Sequence, residues 1–525
     1  MVHKEYLLGR LYNQDEARFF LLQIIENKTK VTIFTFIIDI EPTNMKKTFK
    51  LTLLLFIALF AFQGCQDMDD VAAPMDLEVK DFIWKGLNQY YLWQADVPNL
   101  ADDRFATQSE LNTFLSGYSS PESLFDALRV DKSIDRFSWI VSDYLELEGA
   151  LQGTTKNDGV DYGLRYKSGS TTEIFGWVRY IIPNSDASTK DIKRGDIFYG
   201  VNGTPLTVSN YQSLLAAESY TLNLADYNNG AITSNGKTVA LNKTILAENP
   251  ISLNTVITSG THKIGYLIYN GFYANYDNQL NEAFGTLKSQ GITDLVLDLR
   301  YNSGGSVLTA TRLASMITGQ YTGQLFAKQQ WNDKINSYFE TNNPEALKNN
   351  FTDKIGTTPI NSLNLSKIYI LTTKSTASAS ELVINGLKPY MEVVQIGDIT
   401  TGKNVGSVTL YDSPTFGKDN RNPNHRYAMQ PIVLKIVNAA GFGDYFNGLT
   451  PTYELKENLA NLDVLGNTTE PLLSTAIGKI TGTGKMLKQS PEKDFKYFND
   501  VKSINGLQNQ MYIDKAPEGL LKALK

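Results

Sequence analysis

Hydrophobic and polar positions change their period several times along this chain. Residues 77–88 place apolar side chains at helical spacing, and Tyr90, Tyr91, Leu92 and Trp93 follow. Residues 121–128 read as another short helix, so 71–150 is expected to be a helical region whose aromatic stripe is core. From 158 to 248 the apolar runs shorten and turn residues separate them, which predicts strands with one or two helices. Beyond 260 the period alternates. Strands are expected over 263–269, 295–299, 368–371 and 393–396, with helical patterns over 277–289, 307–317 and after 378. Such alternation implies α/β layering. The polar stretch 332–358 reads as a long connection, and the Lys-rich tail 481–525 is weakly periodic and implies no role.

At 525 residues the chain is expected to form two to four domains. Its hydrophobic share of 42% and charged share of 20% are globular values. Net charge −6 gives no basic footprint, so nucleic acid is not an expected partner. The single cysteine, Cys65, excludes an internal disulfide framework and a Cys-based metal site.

The surroundings of Cys65 change the picture. Met45 to Lys50 is basic, 51–62 is mostly apolar but short for a membrane span, and Phe62-Gln63-Gly64-Cys65 resembles a bacterial lipobox. In that reading 45–64 is a lipoprotein signal peptide and Cys65 carries lipid, anchoring the protein to the outer membrane of a bacterial cell envelope. A signal must be N-terminal, so 1–44 is expected to be an over-extended gene start. Asp67, Asp69 and Asp70 resemble the surface-export signal of Bacteroidetes lipoproteins.

The chemistry concentrates in 375–403. Ser375-Thr376-Ala377-Ser378-Ala379-Ser380-Glu381 precedes a helical pattern, and Gly402-Lys403 follows the next strand, with Ser378 and Lys403 25 residues apart. A serine hydroxyl needs a base, and lysine serves only when desolvation brings its pKa toward 7–8. Lys403 has uncharged neighbours over 399–410. Ser378-Ala379-Ser380-Glu381 also fits a capping box, and a serine at a helix start can do both. The histidines are three, His3, His262 and His425, and none sits in a motif; a Ser-His-Asp arrangement is possible but unsupported. A second motif, Asp298-Leu299-Arg300-Tyr301-Asn302-Ser303-Gly304-Gly305, ends a buried strand at a Gly-Gly turn whose N–H groups could stabilise an oxyanion. Its plain alternative is a strand-to-helix turn, with Asp298 and Arg300 in structural ion pairs.

Together these segments resemble the C-terminal processing, or tail-specific, serine proteases. The resemblance covers roughly 75–480. It implies Ser378 as nucleophile, Lys403 as general base, and an oxyanion hole from Gly304 or Gly305 with Ala379. Here Thr376 stands for the first serine of the family pattern, Asn404 for a usual glycine, and Ser407 for the glutamine that orients the lysine. Asp135-Arg136-Phe137-Ser138 resembles the end of the family's helical cap, and 441–451 a family loop. Gly195-Asp196-Ile197 with Val201-Asn202-Gly203 resembles a PDZ domain, which implies peptide capture near Tyr162, Gly163 and Leu164.

The implied fold is a multidomain α+β chain. It comprises a tether and N-terminal helical cap (65–155), a PDZ-like β domain (156–250), a crotonase-like α/β protease core (251–480) and a tail (481–525). The implied function is a serine endopeptidase acting on proteins or peptides with free C-termini, with no metal or organic cofactor. Two rivals share the scaffold. One is a non-proteolytic binding lipoprotein, as in the retinoid-binding protein of the eye; the other is a crotonase acting on acyl-CoA, which export disfavours.

Overall fold

A computed structural model of the chain describes residues 3–13, 16–27, 30–39, 72–228, 230–483, 495–504 and 511–514. The expected signal peptide and Cys65 lie outside the described residues. The chain divides into two compact units, Met1–Ala72 and Ala73–Lys525. In the first, strands His3–Asn13, Glu16–Asn27 and Lys30–Asp39 form an antiparallel meander.

The second unit begins with helices Glu78–Tyr90, Gln108–Ser116, Pro121–Ala127 and Tyr144–Leu151. Phe82, Ile83, Trp84, Leu87 and Tyr90 are buried, so the aromatic stripe is core. Ser120 caps the third of these helices and Pro121 opens it, a pairing that suits a helix start. Among the described residues, no helix is long and apolar enough to cross a membrane.

A small sheet follows, with strand order Ala231–Asn242, Ser219–Asn228, Ile197–Val201, Ile174–Ile181, Val160–Tyr166 and Tyr497–Asp500. Helix Tyr211–Ala216 closes one face through Tyr211 and Leu215, which pack with Tyr162, Leu164, Phe198 and Leu222. The last strand of this sheet comes from the C-terminal tail, whose weak periodicity implies no role on its own.

The large core carries two six-stranded sheets. The first runs Ile251–Ser259, His262–Tyr269, Asp294–Asp298, Lys367–Thr372, Glu392–Gly397, Tyr453–Glu454, parallel after its first pair. The central strands are apolar on both faces, as a covered parallel sheet requires. The second runs Gly305–Ser306, Met511–Tyr512, Val405–Ser407, Ile432–Asn438, Leu325–Trp331, Lys348–Asn350. Helix Ala379–Leu387 touches strands of both sheets, and all nine of its residues are buried, in keeping with its apolar composition. The polar stretch 332–358 is not a bare connection: it holds helix Asp333–Asn342 and strand Lys348–Asn350. Asn332 caps that helix, and Ile335 and Phe339 bury its apolar face, a short stripe that the polar surroundings hide in the sequence.

Candidate active site

The carboxyl ends of the parallel strands deliver the candidate residues. After Lys367–Thr372 the chain makes a tight turn stapled by its own hydroxyls. The Thr373 N–H donates to Thr376 Oγ1 at 2.9 Å, and Thr376 Oγ1 donates to the Leu299 carbonyl at 2.9 Å. The chain leaves the turn through Ser378 at φ 64°, ψ −117°, and helix Ala379–Leu387 begins at once. Such a backbone costs a non-glycine residue on the order of 1–3 kcal/mol, and is held only where surrounding bonds over-determine it. Ser378 is 0% exposed, between the fully buried Ala377 and Ala379.

Glu381 supplies those bonds. Its Oε2 accepts the Ser378 N–H at 2.7 Å and the Lys403 N–H at 2.9 Å. Its Oε1 accepts the Gly402 N–H at 2.7 Å and the Thr400 hydroxyl at 2.5 Å. Burial raises the Glu381 pKa, while these four donors hold it down. The capping glutamate expected from the sequence thus reaches back to the helix start, and it also clamps the lysine turn. That second role left no mark in the sequence beyond the four-residue box.

Lys403 is 1% exposed. Burial brings its pKa down to about 7; Asp135 and Glu381 oppose that shift, and Arg136 adds to it. The ammonium lies over the Phe137 ring at 4.9 Å. Arg136 donates to the Gly402 carbonyl at 2.6 Å and packs on the Phe446 ring at 4.1 Å. The Asp135-Arg136-Phe137 segment of the helical region is therefore the roof of the lysine site. Gly402 has φ 89°, and a Cβ there would meet the Phe446 carbonyl at 2.1 Å, so the position before the lysine has room for glycine alone.

The second motif folds against the turn that carries Ser378. Asn302 is fully buried; its carbonyl accepts the Ala377 N–H and the Ser380 hydroxyl, both at 3.1 Å. Its side chain holds the Tyr269 carbonyl and accepts the Gly304 N–H, both at 2.8 Å. The Gly304 N–H is thus engaged inside the turn, which favours Gly305 of the two expected donors. Ala379 opens its helix, so its N–H lies outside the intrahelical ladder. Asp298 and Arg300 form buried ion pairs at 2.8 Å, extended by Glu470 at 2.8 Å and Glu457 at 3.2 Å. Burial would raise the Glu457 pKa, yet Arg194, Arg300 and Tyr301 bring it to about 2. This network has the structural role expected for the charged pair, and through Arg194 it also joins the core to the small sheet.

The other candidates sit apart from one another. Ser407 is buried with its hydroxyl on Gln430 Oε1 at 2.6 Å and near the Met511 carbonyl at 3.2 Å. Gln430, at the end of strand Ala428–Gln430 in a separate small sheet, is a residue that sequence spacing could not find. Tyr162, Gly163 and Leu164 do not form a loop. They lie inside strand Val160–Tyr166, where the Trp177 ring occupies the space a Gly163 side chain would need. The free edge of that strand is covered by Tyr497–Asp500. His262 pairs with Asp294 at 2.7 Å where their strands begin, the opposite end of the parallel sheet from Ser378. His425 donates to Asp412 at 2.8 Å and accepts the Tyr427 N–H at 3.1 Å, so both ring nitrogens are engaged. Among the described residues, no cluster of His, Cys, Asp or Glu could hold a metal ion.

Residues 263–414 match the Peptidase family S41 model, and 78–139 match the Peptidase S41 N-terminal domain. The chain carries the domains of peptidase family S41, the C-terminal processing peptidases. It is 27% identical over 317 residues to the chloroplastic carboxyl-terminal-processing peptidase 1 of Arabidopsis thaliana, covering 58% of this chain and 59% of that protein. It is 26% identical over 257 residues to the chloroplastic C-terminal processing peptidase of Tetradesmus obliquus, covering 47% and 51%. The matched stretch thus spans only about half to three-fifths of these curated relatives. A solved structure assigned as an S41 protease from Bacteroides fragilis shares the mixed α/β multidomain fold, with TM-score 0.59 and 29% identity over 77% of this chain and 98% of that one.

Proposed function

We propose that the protein is a serine endopeptidase that cleaves proteins or peptides near their C-termini. The observation that carries this reading is the clamp by Glu381, which ties the Ser378 and Lys403 main chains to one carboxylate while burial brings Lys403 to about 7. A lysine in that state is half deprotonated near neutral pH and can act as a base.

In the proposed reaction Ser378 Oγ attacks the scissile carbonyl carbon and its proton passes to Lys403 Nζ. The oxyanion is held by the N–H groups of Gly305 and Ala379, at a helix start whose dipole favours negative charge. Collapse of the intermediate breaks the C–N bond, and Lys403 returns the proton to the leaving amine. Water, deprotonated by Lys403, then hydrolyses the ester and restores Ser378. Ser407, held by Gln430, is the proposed positioning pair for the lysine side of the site.

The small sheet with helix Tyr211–Ala216 supports a PDZ-like reading, since an extended segment, Tyr497–Asp500, pairs with strand Val160–Tyr166 beside that helix. The layered core supports a crotonase-like reading. The lipobox-like residues before Cys65 support a lipid-anchored location in a bacterial cell envelope; Cys65→Ser should release the protein from membrane fractions or leave a precursor. The enzymatic reading is tested by cleavage of an unstructured protein substrate. Ser378→Ala and Lys403→Ala should each abolish cleavage, and a Lys403→Ala variant with the wild-type rate would refute the assigned base.

A further inference from the structure

The C-terminal tail pairs both with the small sheet and with strands beside the candidate active site. In the small sheet, Tyr497–Asp500 runs antiparallel to Val160–Tyr166, with Asn499 opposite Leu164 and Asp500 opposite Gly163. The Phe498 ring packs edge-on against Tyr166 at 5.2 Å and Tyr211 at 5.1 Å, which puts it between strand and helix. Asn499 donates to the Tyr211 hydroxyl at 3.1 Å. Phe495 adds a second anchor against Phe175 at 5.0 Å.

Asp500 then connects this groove to the nucleophile turn. It accepts the Ser375 hydroxyl at 3.1 Å and lies 3.4 Å from Arg179, which itself donates to Ser375 at 2.6 Å. Ser375 stands three residues before Ser378. Lys502 donates to the carbonyls of Asn270 at 3.1 Å and Tyr301 at 2.9 Å, next to Asn302.

The tail reappears at the candidate active site. Met511–Tyr512 pairs in parallel with Gly305–Ser306 on one side and with Ser407 on the other. The Ile513 N–H donates to the Ser407 carbonyl at 2.9 Å, and Asp514 accepts the Ser306 hydroxyl at 2.7 Å. A scissile carbonyl that reaches the Gly305 N–H must bring its backbone alongside this strand. The tail lies there, and both Ser378 and Lys403 are buried.

We propose that residues 495–504 and 511–514 are a resident inhibitor. They occupy the small-sheet groove as an extended Phe-x-Asp peptide and the slot beside Gly305 as a substrate-like strand. The partner that displaces them is an extended peptide with an aromatic residue two positions before an acidic one. The link through Asp500, Arg179 and Ser375 lets groove occupancy act on the nucleophile turn. This rests on the peptidase reading for the slot at Gly305, but the groove docking stands without it.

The test uses the full chain and a labelled peptide of residues 495–504. Binding is read by fluorescence anisotropy, and access to Ser378 by its rate of labelling with a serine-reactive fluorophosphonate. In the Phe498→Ala, Asp500→Ala double variant the groove is vacated, and the peptide should bind at least about tenfold more tightly than to wild type, because an occupied groove weakens apparent affinity in proportion. Adding Tyr211→Ala should remove that binding. Ser378 labelling should rise by a similar factor. If the double variant loses its melting transition, wild type alone decides: excess peptide should speed Ser378 labelling saturably, and a peptide lacking the Phe498 ring should not. Equal peptide affinity in wild type and a folded double variant, or measurable Ser378 labelling that peptide does not change, would overturn the proposal and make the tail a structural brace. Tight peptide binding to a variant in which Ser378 never labels would instead fault the peptidase reading and leave the groove docking intact.

Discussion

Glu381 and Lys403 are joined through the main chain, with the Lys403 N–H donating to Glu381 Oε2 at 2.9 Å. The same oxygen holds the Ser378 N–H, so one carboxylate ties the main chains of the proposed nucleophile and the proposed base. All four groups on Glu381 are donors, and only an ionised carboxylate can accept from all of them. Glu381→Gln turns one oxygen into an amide that faces N–H donors. We expect kcat to fall about 100-fold, near 2.7 kcal/mol, with KM little changed. Steady-state kinetics together with a thermal melt check this; a variant with the wild-type kcat would remove Glu381 from the machinery.

The low pKa of Lys403 predicts a pH limb. The ammonium cannot accept the Ser378 proton, so kcat/KM should rise with pH through about 7. Stability should follow the same sign. The folded value lies below the ordinary 10.5, so the unfolded chain binds more protons between about 7 and 10.5, and the Lys403 contribution to unfolding free energy rises with pH across that window. Phe137 covers the ammonium and helps keep it dry. Phe137→Ala should therefore move the rising limb toward higher pH. A pH–rate profile whose limb stays in place would assign the desolvation to other groups.

Much of this site was legible because its chemistry is local in sequence. The helix after Ser378, the strand before it and the Gly-Gly turn each carry their period and turn residues in one short stretch. Glu381 was visible as a capping residue for the same reason. Its bonds to Thr400, Gly402 and Lys403 were not, since they cross between two turns that only the sheet brings together. The tail shows the limit most plainly. Phe495, Phe498 and Met511 form no periodic pattern of their own, because each fills a gap in a surface built elsewhere in the chain.

Gly305 is the proposed oxyanion donor, and its backbone has no room for a side chain. At φ 139°, a Cβ would sit 2.3 Å from the Phe272 carbonyl. Gly305→Ala must shift that strand or the turn. We expect a loss of about 10²–10³ in kcat, the size seen when one oxyanion donor is removed. A crystal structure of the variant should show the turn displaced from Phe272. Retained activity with an undisplaced turn would shift the donor role back to Gly304.

Ser407 and Gln430 form the last testable pair. The Ser407 hydroxyl has one proton, and the shorter contact, 2.6 Å to Gln430 Oε1, takes it. Gln430 in turn donates to Thr409 at 2.7 Å, so its amide orientation is fixed from both ends. Ser407→Ala would leave the buried Gln430 oxygen without this donor, a cost of about 1–3 kcal/mol in stability. If the pair also positions the lysine turn, acylation should slow by about tenfold, near 1.4 kcal/mol, with substrate affinity little changed. Gln430→Leu should do the same. The double variant should be no slower than either single one, because two residues that act as a unit are not additive. Single-turnover acylation across a pH series reads both rate and apparent pKa for the three variants. Rates and pKa values equal to wild type, alongside a lowered melting temperature, would make the pair a brace for the sheet and leave the orientation of Lys403 to Glu381 and the Phe137 roof.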